Sequence, residues 1–296
     1  YVPRNHDMTL TEDILESALP GIKQARDVYG LGTYYTGRNK NVAIEHGHRY
    51  DVFSSPDTVS NKMLPGSGDA ILPPGYFYAR YAASWVTEGR PDVAKSYPEI
   101  HKIPDRSDED QFAAYAYYAV LHSEFTRMTP TEGFGDKTFH VDHAGLAGDY
   151  SVEDMYPVAQ GDGTISSPVL FRNFQRNWAE IQANNEVKVN VDFAQSAAGA
   201  TGYKFLESQA KKQYLENNDR NIDIVVFGHT HIPQYLKLEN GKVYIDSGTW
   251  VDNNTSDANH VTRTFAVIDS SGRETAALYT YGEDGKIDNI SESMIK

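Results

Sequence analysis

Two histidines separated by one residue follow a short apolar segment towards the C-terminal end of the chain. The segment reads DIVVFGHTHIPQY over residues 223–235, and its apolar run is typical of a strand covered on both faces. In extended backbone, residues i and i+2 project to the same side, so His229 and His231 are expected to face one small volume. Neutral imidazoles are good ligands for zinc, iron, nickel and related ions. The spacing therefore predicts part of a metal site where this strand ends.

Two other segments repeat this arrangement of an apolar lead followed by His or Asn. Residues 42–44 (VAI) precede the motif HGH at 46–48, and residues 1–3 (YVP) precede the motif NHD at 5–7. Ligands and catalytic groups of α/β sheets gather where strands end, so the three segments are expected to converge on one site. Imidazoles and one amide oxygen include no anionic ligand, whereas a two-metal hydrolytic site normally contains carboxylates.

The motifs NHD, HGH and GHTH, in this order after apolar leads, resemble the later motifs of the calcineurin-like metallophosphoesterases. The family pattern is Asp-x-His, Gly-Asp-x-x-Asp, Gly-Asn-His-Asp/Glu, a lone His before Gly, and Gly-His-x-His. GHTHIP followed by a hairpin and YIDSGTW also resembles the C-terminal segment of this family. The resemblance covers residues 1–54 and about 206–296. It implies an α/β fold in which a metallophosphoesterase-like β-sandwich core is flanked by helices.

The resemblance also implies a dinuclear metal site. The cofactors would be two divalent transition-metal ions, drawn from Mn, Fe, Zn and Ni. Asn5, His46 and His229 would bind one ion, and His231 would bind the other. Arg4 stands where the family usually has Gly, which is a departure that bears on the shape of the first loop.

Four further residues complete the expected site. By the resemblance, His6 would lie near the leaving oxygen as an acid or a phosphate contact, and Asp7 would hold the His6 ring. His48 matches no ligand position of the family. We expect His48 and Arg49 to contact the substrate, and for His48 an indirect role or no role is the alternative.

The first two family motifs have no match before Asn5. The segment FHVDHAGLAGDYSVED superficially mimics them, but no apolar strand leads into it and it falls between helical patterns. We therefore expect the missing aspartates to come from an N-terminal segment that is absent here or from another chain. The acidic and imidazole residues of this segment are His140, Asp142, His143, Asp149 and Asp154.

Residues 55–205 carry no motif of the family. Turns rich in Pro and Gly alternate with helical patterns, such as GYFYARYAASWVTEG and SDEDQFAAYAYYAVLHSEF. Their aromatic and alanine positions recur at three and four residues, which favours core packing over a substrate cleft. The sequence predicts a large, mainly helical insertion that caps or flanks the site and shapes substrate choice.

The composition excludes several classes of function. Twenty-seven basic and 41 acidic residues give a formal charge of −14, so binding to nucleic-acid polymers is not expected. The absence of cysteine excludes disulfides, thiolate zinc sites and cysteine nucleophiles. No run approaches the roughly 18 apolar residues of a membrane span. The sequence does not distinguish a cytoplasmic from an exported protein.

The expected function is metal-dependent hydrolysis of a phosphomonoester, phosphodiester or pyrophosphate bond. The expected substrate is a phosphorylated small molecule or a nucleotide-type compound. Two alternatives stay open. The chain would otherwise be a non-catalytic binding scaffold with a degenerate metal site, or a single-metal hydrolase that uses only Asn5, His46, His229 and His231.

Overall fold

The computed structural model describes most of the chain and divides it into two compact units. The first unit comprises Tyr1–Tyr50 and Thr201–Lys296, and the second comprises Asp51–Ala200. Among the described residues, no helix combines the length and the apolar character that crossing a membrane requires. The described residues are 1–27, 29–64, 66, 70–89, 97–127, 134–137, 139–200, 202–253, 257, 259–271 and 274–294.

Helices and strands alternate irregularly along the chain. The helices are α1 (Glu12–Ala18), α2 (Pro74–Thr87), α3 (Glu109–Arg127), α4 (Phe174–Asn184), α5 (Phe193–Gly199) and α6 (Tyr203–Ala210), which continues as a π-helical turn over Lys211–Leu215. The strands are β1 (Thr33–Thr36), β2 (Val42–Glu45), β3 (Phe139–His143), β4 (Leu146–Tyr150), β5 (Ile224–Phe227), β6 (Gln234–Lys237), β7 (Val243–Asp246), β8 (Thr264–Asp269), β9 (Thr275–Tyr281) and β10 (Ile287–Asn289).

The main sheet of the first unit has five strands in the order β1-β2-β5-β7-β6. The central pairs β2–β5 and β5–β7 are parallel, while the two outer pairs are antiparallel. All four residues of β5 are buried, as expected for an apolar strand covered on both faces. Because β2 and β5 run in the same direction, the segments that follow them begin at the same edge of the sheet.

A second sheet of the first unit has three antiparallel strands in the order β10-β9-β8. Its inward side chains join those of the five-stranded sheet in one hydrophobic cluster, so the two sheets share a core. The buried residues of this cluster are Val42, Ile224, Val226, Val243, Ile245, Ala276 and Leu278. The chain is therefore a mixed α/β protein.

A buried ion pair holds the turn that follows β2. Arg49 Nε lies 3.1 Å from Glu45 Oε2, and the two side chains are 6% and 1% exposed. The same carboxylate oxygen accepts hydrogen bonds from the Thr33 and Tyr214 hydroxyls, both at 2.9 Å. Arg49 Nη2 also donates to Thr33 Oγ1 at 3.1 Å. These bonds tie the 3₁₀ turn His48–Tyr50 to the sheet and to the end of the π-helical turn.

The expected strand-like lead before the first motif is absent. Residues 1–3 form no strand, and the chain instead turns at once, with the Asp7 N–H bonded to the Arg4 carbonyl at 2.9 Å. Pro3 has no N–H to donate to a ladder, which disfavours a strand here. Two backbone bonds still anchor the segment, from Ala25 N to Tyr1 O and from the Tyr1 amino group to Lys23 O.

The second unit has an aromatic core. Tyr81, Tyr117 and Tyr118 are at most 5% exposed, in agreement with the core-packing interpretation of the tyrosine-rich segments. Phe174 makes edge-to-face contacts with Tyr117 and Phe193, with ring centroids 5.7 and 5.4 Å apart. Such pairs add to the stabilisation that burial provides.

The second unit also contains a β-hairpin that the expectation of a mainly helical region omitted. Strands β3 and β4 pair antiparallel, and the two-residue loop has positive φ at Ala144 (49°) and Gly145 (79°). A two-residue loop with positive φ at both positions is the form that matches the twist of paired strands. The signal for the hairpin in the sequence is the alternation of apolar Val141 and Leu146, which are buried, with polar His140 and Asp142, which are exposed.

We expect Arg49→Met to decrease the free energy of unfolding by about 3–5 kcal/mol, because the Glu45 carboxylate would stay buried without its cation. The double variant Glu45→Gln/Arg49→Met removes both charges and should recover most of this loss. Urea unfolding of the two variants checks the prediction. An equal loss in both would contradict it.

We expect Ala144→Asn to increase the free energy of unfolding by about 0.5–1 kcal/mol, because Asn tolerates positive φ better than Ala does. The matched control is Ala147→Asn, at an exposed position of β4, where no such gain is expected. Thermal unfolding of both variants measures the difference.

Candidate metal centre

The segments that carry the motifs HGH and GHTH meet at the edge of the five-stranded sheet. β2 ends at Glu45 and the parallel strand β5 ends at Phe227, so His46 and Gly228 are the next residues of adjacent strands. The Gly228 N–H donates to the His46 carbonyl oxygen at 3.2 Å. A Cβ at position 228 would lie 3.3 Å from His46 Nδ1, so glycine leaves room for this imidazole.

Three imidazoles form a compact group at this edge. The ring centroid of His46 lies 5.3 Å from that of His48 and 5.1 Å from that of His229. The His48 and His229 centroids are 6.3 Å apart. These residues come from two segments that are about 180 positions apart, and the parallel pairing of β2 with β5 brings them together.

The segment that carries the motif NHD reaches the same group through Asn5. Asn5 Oδ1 lies 3.0 Å from His46 Nε2, and Asn5 Nδ2 lies 3.5 Å from His6 Nε2. A separation of 3.0 Å suits a hydrogen bond, whereas two donors that are each about 2.1 Å from one tetrahedral ion would lie about 3.4 Å apart, so sharing an ion would require these two atoms to separate by about 0.4 Å. Asn5, His6, His46 and His229 thus lie together, as the motif spacing predicts.

His231 is brought near the group by a different backbone from the one predicted. His229 and His231 have φ angles of 75° and 61°, so this segment is left-handed at both positions and not extended. The pKa of His231 is lowered by burial and then by its closeness to His229 and His6. The i, i+2 rule for strands therefore does not apply, because the strand ends at Phe227.

Burial favours the neutral form of His46, His48 and His6. It is the largest cause that lowers the pKa of His46 well below its ordinary value, followed by the nearby His48 and His229. Burial also lowers the pKa of His48 well below its ordinary value, with His229 and Arg49 as further causes. The pKa of His6 is lowered by burial, then by Arg4 and His229. Neutral imidazole is the form that binds metal ions.

His48 is fully enclosed. Its side chain is 2% exposed, and neither Nδ1 nor Nε2 has a hydrogen-bond partner among the described residues. Each buried polar atom without a partner costs about 1–3 kcal/mol. The expected substrate contact would require this ring to become accessible.

Asp7 does not hold the His6 ring as predicted. Its carboxylate accepts hydrogen bonds from the Tyr1 hydroxyl and from Arg4 Nε at 2.9 Å. The reason is the departure at position 4, where an arginine replaces the usual glycine and takes the carboxylate. Burial opposes the ionised form of Asp7, but the bonds from Arg4 and Tyr1 lower its pKa overall.

Arg49 has a place that differs from the predicted substrate contact. Its guanidinium is paired with Glu45 and Thr33 inside the first unit, and the residue is 5% exposed. A planar guanidinium committed to a buried carboxylate is not presented to a ligand. The physical reason is that the 3₁₀ turn directs the side chain back along β2.

Asp246 is a further residue of this region that the histidine motifs do not indicate. It ends β7 beside Phe227, is fully buried, and accepts a hydrogen bond from Thr230 Oγ1 at 2.7 Å. Its other oxygen accepts from the Gly248 N–H at 3.0 Å. Asp246 therefore fixes the GHTH loop between its two histidines. The overlooked signal was an acid that ends an apolar strand pattern, VYID.

The residues present fit one part of a metal site. Among the residues that the structure describes, no three His, Asp or Glu side chains have donor atoms arranged to hold an ion. The imidazoles and the Asn5 oxygen are nevertheless donors of the chemical type that transition metals prefer. The fit is therefore to the imidazole and amide side of a site, with the carboxylate side lacking.

The alternative source of acidic motifs lies in the second unit. His140 Nδ1 is 2.8 Å from Asp149 Oδ1 across the β3–β4 hairpin, and both side chains are largely exposed. His143 Nε2 lies 2.9 Å from the Tyr76 hydroxyl. These residues belong to a surface hairpin and not to the carboxyl end of a parallel strand, unlike the family motifs that they mimic.

Comparisons with protein-family models, curated proteins and solved structures found no match to this chain. The assignment of a function therefore depends on the motifs and on the geometry of the imidazole group.

We expect the free energy of unfolding to fall as pH rises from about 4 to about 7 through a contribution from Asp246. Burial raises the pKa of this carboxyl from 3.8 to about 7 in the folded chain. Between these values the folded chain keeps a proton that the unfolded chain releases, so the slope is up to about 1.4 kcal/mol per pH unit.

Urea unfolding of the metal-free protein at several pH values measures this slope. Asp246→Asn should lose the contribution, whereas Asp252→Asn, at a carboxylate that is 69% exposed, should keep it. Identical slopes in the wild type and in Asp246→Asn would contradict the prediction.

Proposed function

We propose that this chain carries a metallophosphoesterase-like site and hydrolyses a phosphomonoester, phosphodiester or pyrophosphate bond with divalent transition-metal ions. The observation that carries the proposal is the meeting of Asn5, His46 and His229, which are far apart in the sequence. The Asn5 oxygen is 3.0 Å from His46 Nε2, and the His46 and His229 rings are 5.1 Å apart. An amide oxygen and two imidazoles are the donors that the family motifs supply.

The architecture supports the same proposal. Two of the three motifs, HGH and GHTH, lie at the end of a parallel strand pair in a mixed sheet, and a second sheet shares its core. We propose that these two sheets are the β-sandwich core of a metallophosphoesterase-like fold. We propose also that Asp51–Ala200 is the insertion that shapes substrate choice, since function resides in what is added to a fold.

The residues of the group have separate roles in the proposed reaction. Asn5, His46 and His229 would hold one ion and His231 a second. Two bound ions would supply a hydroxide near neutral pH and positive charge for the phosphate oxygens. The imidazole of His6, beside Asn5, would donate a hydrogen bond or a proton to the leaving oxygen.

The proposed site needs acidic ligands in addition. Asp7 is engaged by Arg4 and Tyr1, and Asp246 is engaged by Thr230 and Gly248. We propose that the bridging carboxylate comes from a further polypeptide segment or from another chain. The net charge of −14 would repel an anionic phosphate, so the bound cations would have to provide the attraction.

The second candidate is a single-metal hydrolase, or a non-catalytic binding scaffold with a degenerate metal site. The observation that favours it is that no described group of three His, Asp or Glu side chains has metal-holding geometry. Metal stoichiometry separates the candidates. A dinuclear enzyme takes up two ions per chain and turns over substrate, whereas the second candidate takes up one ion or none.

We expect the full chain to bind Mn²⁺ or Zn²⁺ and to hydrolyse p-nitrophenyl phosphate or its bis ester, and we expect His229→Ala to weaken both. Loss of a residue that only hydrogen-bonds to a metal ligand lowers metal affinity by about 10-fold to 100-fold. Removal of the ligand itself should lower the affinity by at least as much. Equilibrium dialysis and a release assay measure the two properties.

His101→Ala is the matched control, because His101 belongs to the second unit and its side chain is 83% exposed. This variant should behave as the wild type does. A wild-type chain that takes up no transition metal would refute the proposed function. Metal uptake without turnover of either ester would favour the scaffold.

A further inference from the structure

His48 is the one histidine of the group for which the family resemblance offers no role. Its ring is 2% exposed, and within the part of the chain that the structure describes both nitrogens are buried without a hydrogen-bond partner. A neutral imidazole has one donor and one acceptor, and burying both without partners is unfavourable. A buried polar side chain without partners indicates that the ring takes part in binding a ligand.

The surroundings of His48 fix its position. Gly47 has φ of 96°, and a Cβ there would lie 3.3 Å from side-chain atoms of both Leu206 and Phe227. On the other side, Arg49 is held by Glu45, and Tyr50 stacks on Phe227 with centroids 5.9 Å apart. The chain is thus turned tightly after His46, and the second imidazole is held beside the first.

Ring distances come close to those of an ion-binding group, although no described group of three His, Asp or Glu side chains has metal-holding geometry as it stands. An ion about 2.1 Å from a ring nitrogen lies about 3.2 Å from the ring centroid, so two imidazoles on one tetrahedral ion have centroids about 5 Å apart. The observed distances from His46 to His48 and to His229 are 5.3 and 5.1 Å. The third side of the triangle is 6.3 Å and must shorten by about 1 Å for all three rings to bind one ion.

We propose that His48 is a metal ligand, so that one ion is held by the imidazoles of His46, His48 and His229 together with the Asn5 oxygen. This inference rests on the proposed function for the presence of an ion, and it goes beyond the family pattern by adding a third imidazole. Three imidazoles with one amide oxygen give a neutral tetrahedral ligand set, which suits Zn²⁺ or Co²⁺.

The neutral ligand set has a chemical consequence. A substrate contact by His48 would need the ring to open to solvent, whereas ligation uses it where it lies. With no anionic ligand among the four, the ion keeps its full charge towards a phosphate. Because these four ligands fill a tetrahedral shell, a phosphoester oxygen would have to enter as a fifth ligand, and the charge of the ion would attract it even though the chain is acidic.

The test is a titration of the metal-free full chain with Co²⁺, followed by visible absorption, for the wild type, His48→Leu and His101→Ala. We expect His48→Leu to weaken Co²⁺ binding at least 10-fold and to change the spectrum. We expect the metal-free variant to unfold at the same temperature as the wild type or higher, because leucine leaves no unpartnered polar atom. His101→Ala should match the wild type in every respect.

A second measurement uses the wild type alone and so does not depend on the folding of a variant. With ¹¹³Cd²⁺ bound, couplings between one cadmium and the ring ¹⁵N nuclei count the imidazoles on that ion. Three imidazoles would support the inference, and two would overturn it. Equal Co²⁺ affinity and spectrum in His48→Leu would also overturn it and leave the proposed function intact. A wild type that binds neither ion would instead overturn the proposed function.

Discussion

The parallel pairing of β2 with β5 is the constraint on which the candidate site depends. Val42 pairs with Ile224 and Ile44 pairs with Val226, so both strands deliver their following residues to the same edge. The bond from Gly228 N to His46 O extends this pairing by one step. Without this register, two histidine motifs about 180 residues apart would have no reason to meet. Asn5 then closes the group through its contact with His46.

Much of this arrangement could be predicted from the sequence. The run IVVF predicts a strand on its own, because a short apolar run that is rich in β-branched residues and is followed by glycine is typical of a buried strand. The helices α2, α3 and α4 follow from three- and four-residue spacing of apolar side chains. The meeting of His46 with His229 followed from a rule about strand ends. The segment before Asn5 forms no strand, so for Asn5 this rule does not apply and the family resemblance alone pointed to it.

Other features required the three-dimensional structure. The partner of Asp7 depends on Arg4 and Tyr1, and local spacing cannot rank an arginine above a neighbouring imidazole as a partner. The burial of Arg49 depends on Tyr214 and Thr33, which approach from distant positions. Likewise, the hairpin β3–β4 has only five residues in each strand, and its polar face masked the alternation of Val141 and Leu146.

The left-handed backbone at His229 and His231 has an implication for how such a site persists. A non-glycine residue with positive φ stores strain, roughly 1 kcal/mol or more at each position. Each of these two histidines therefore lowers the free energy of unfolding through its backbone conformation while it supplies an imidazole. Drift towards glycine at 229 or 231 would relax the loop and erase the donors together. At these two positions a gain in backbone stability and the loss of an imidazole therefore come together.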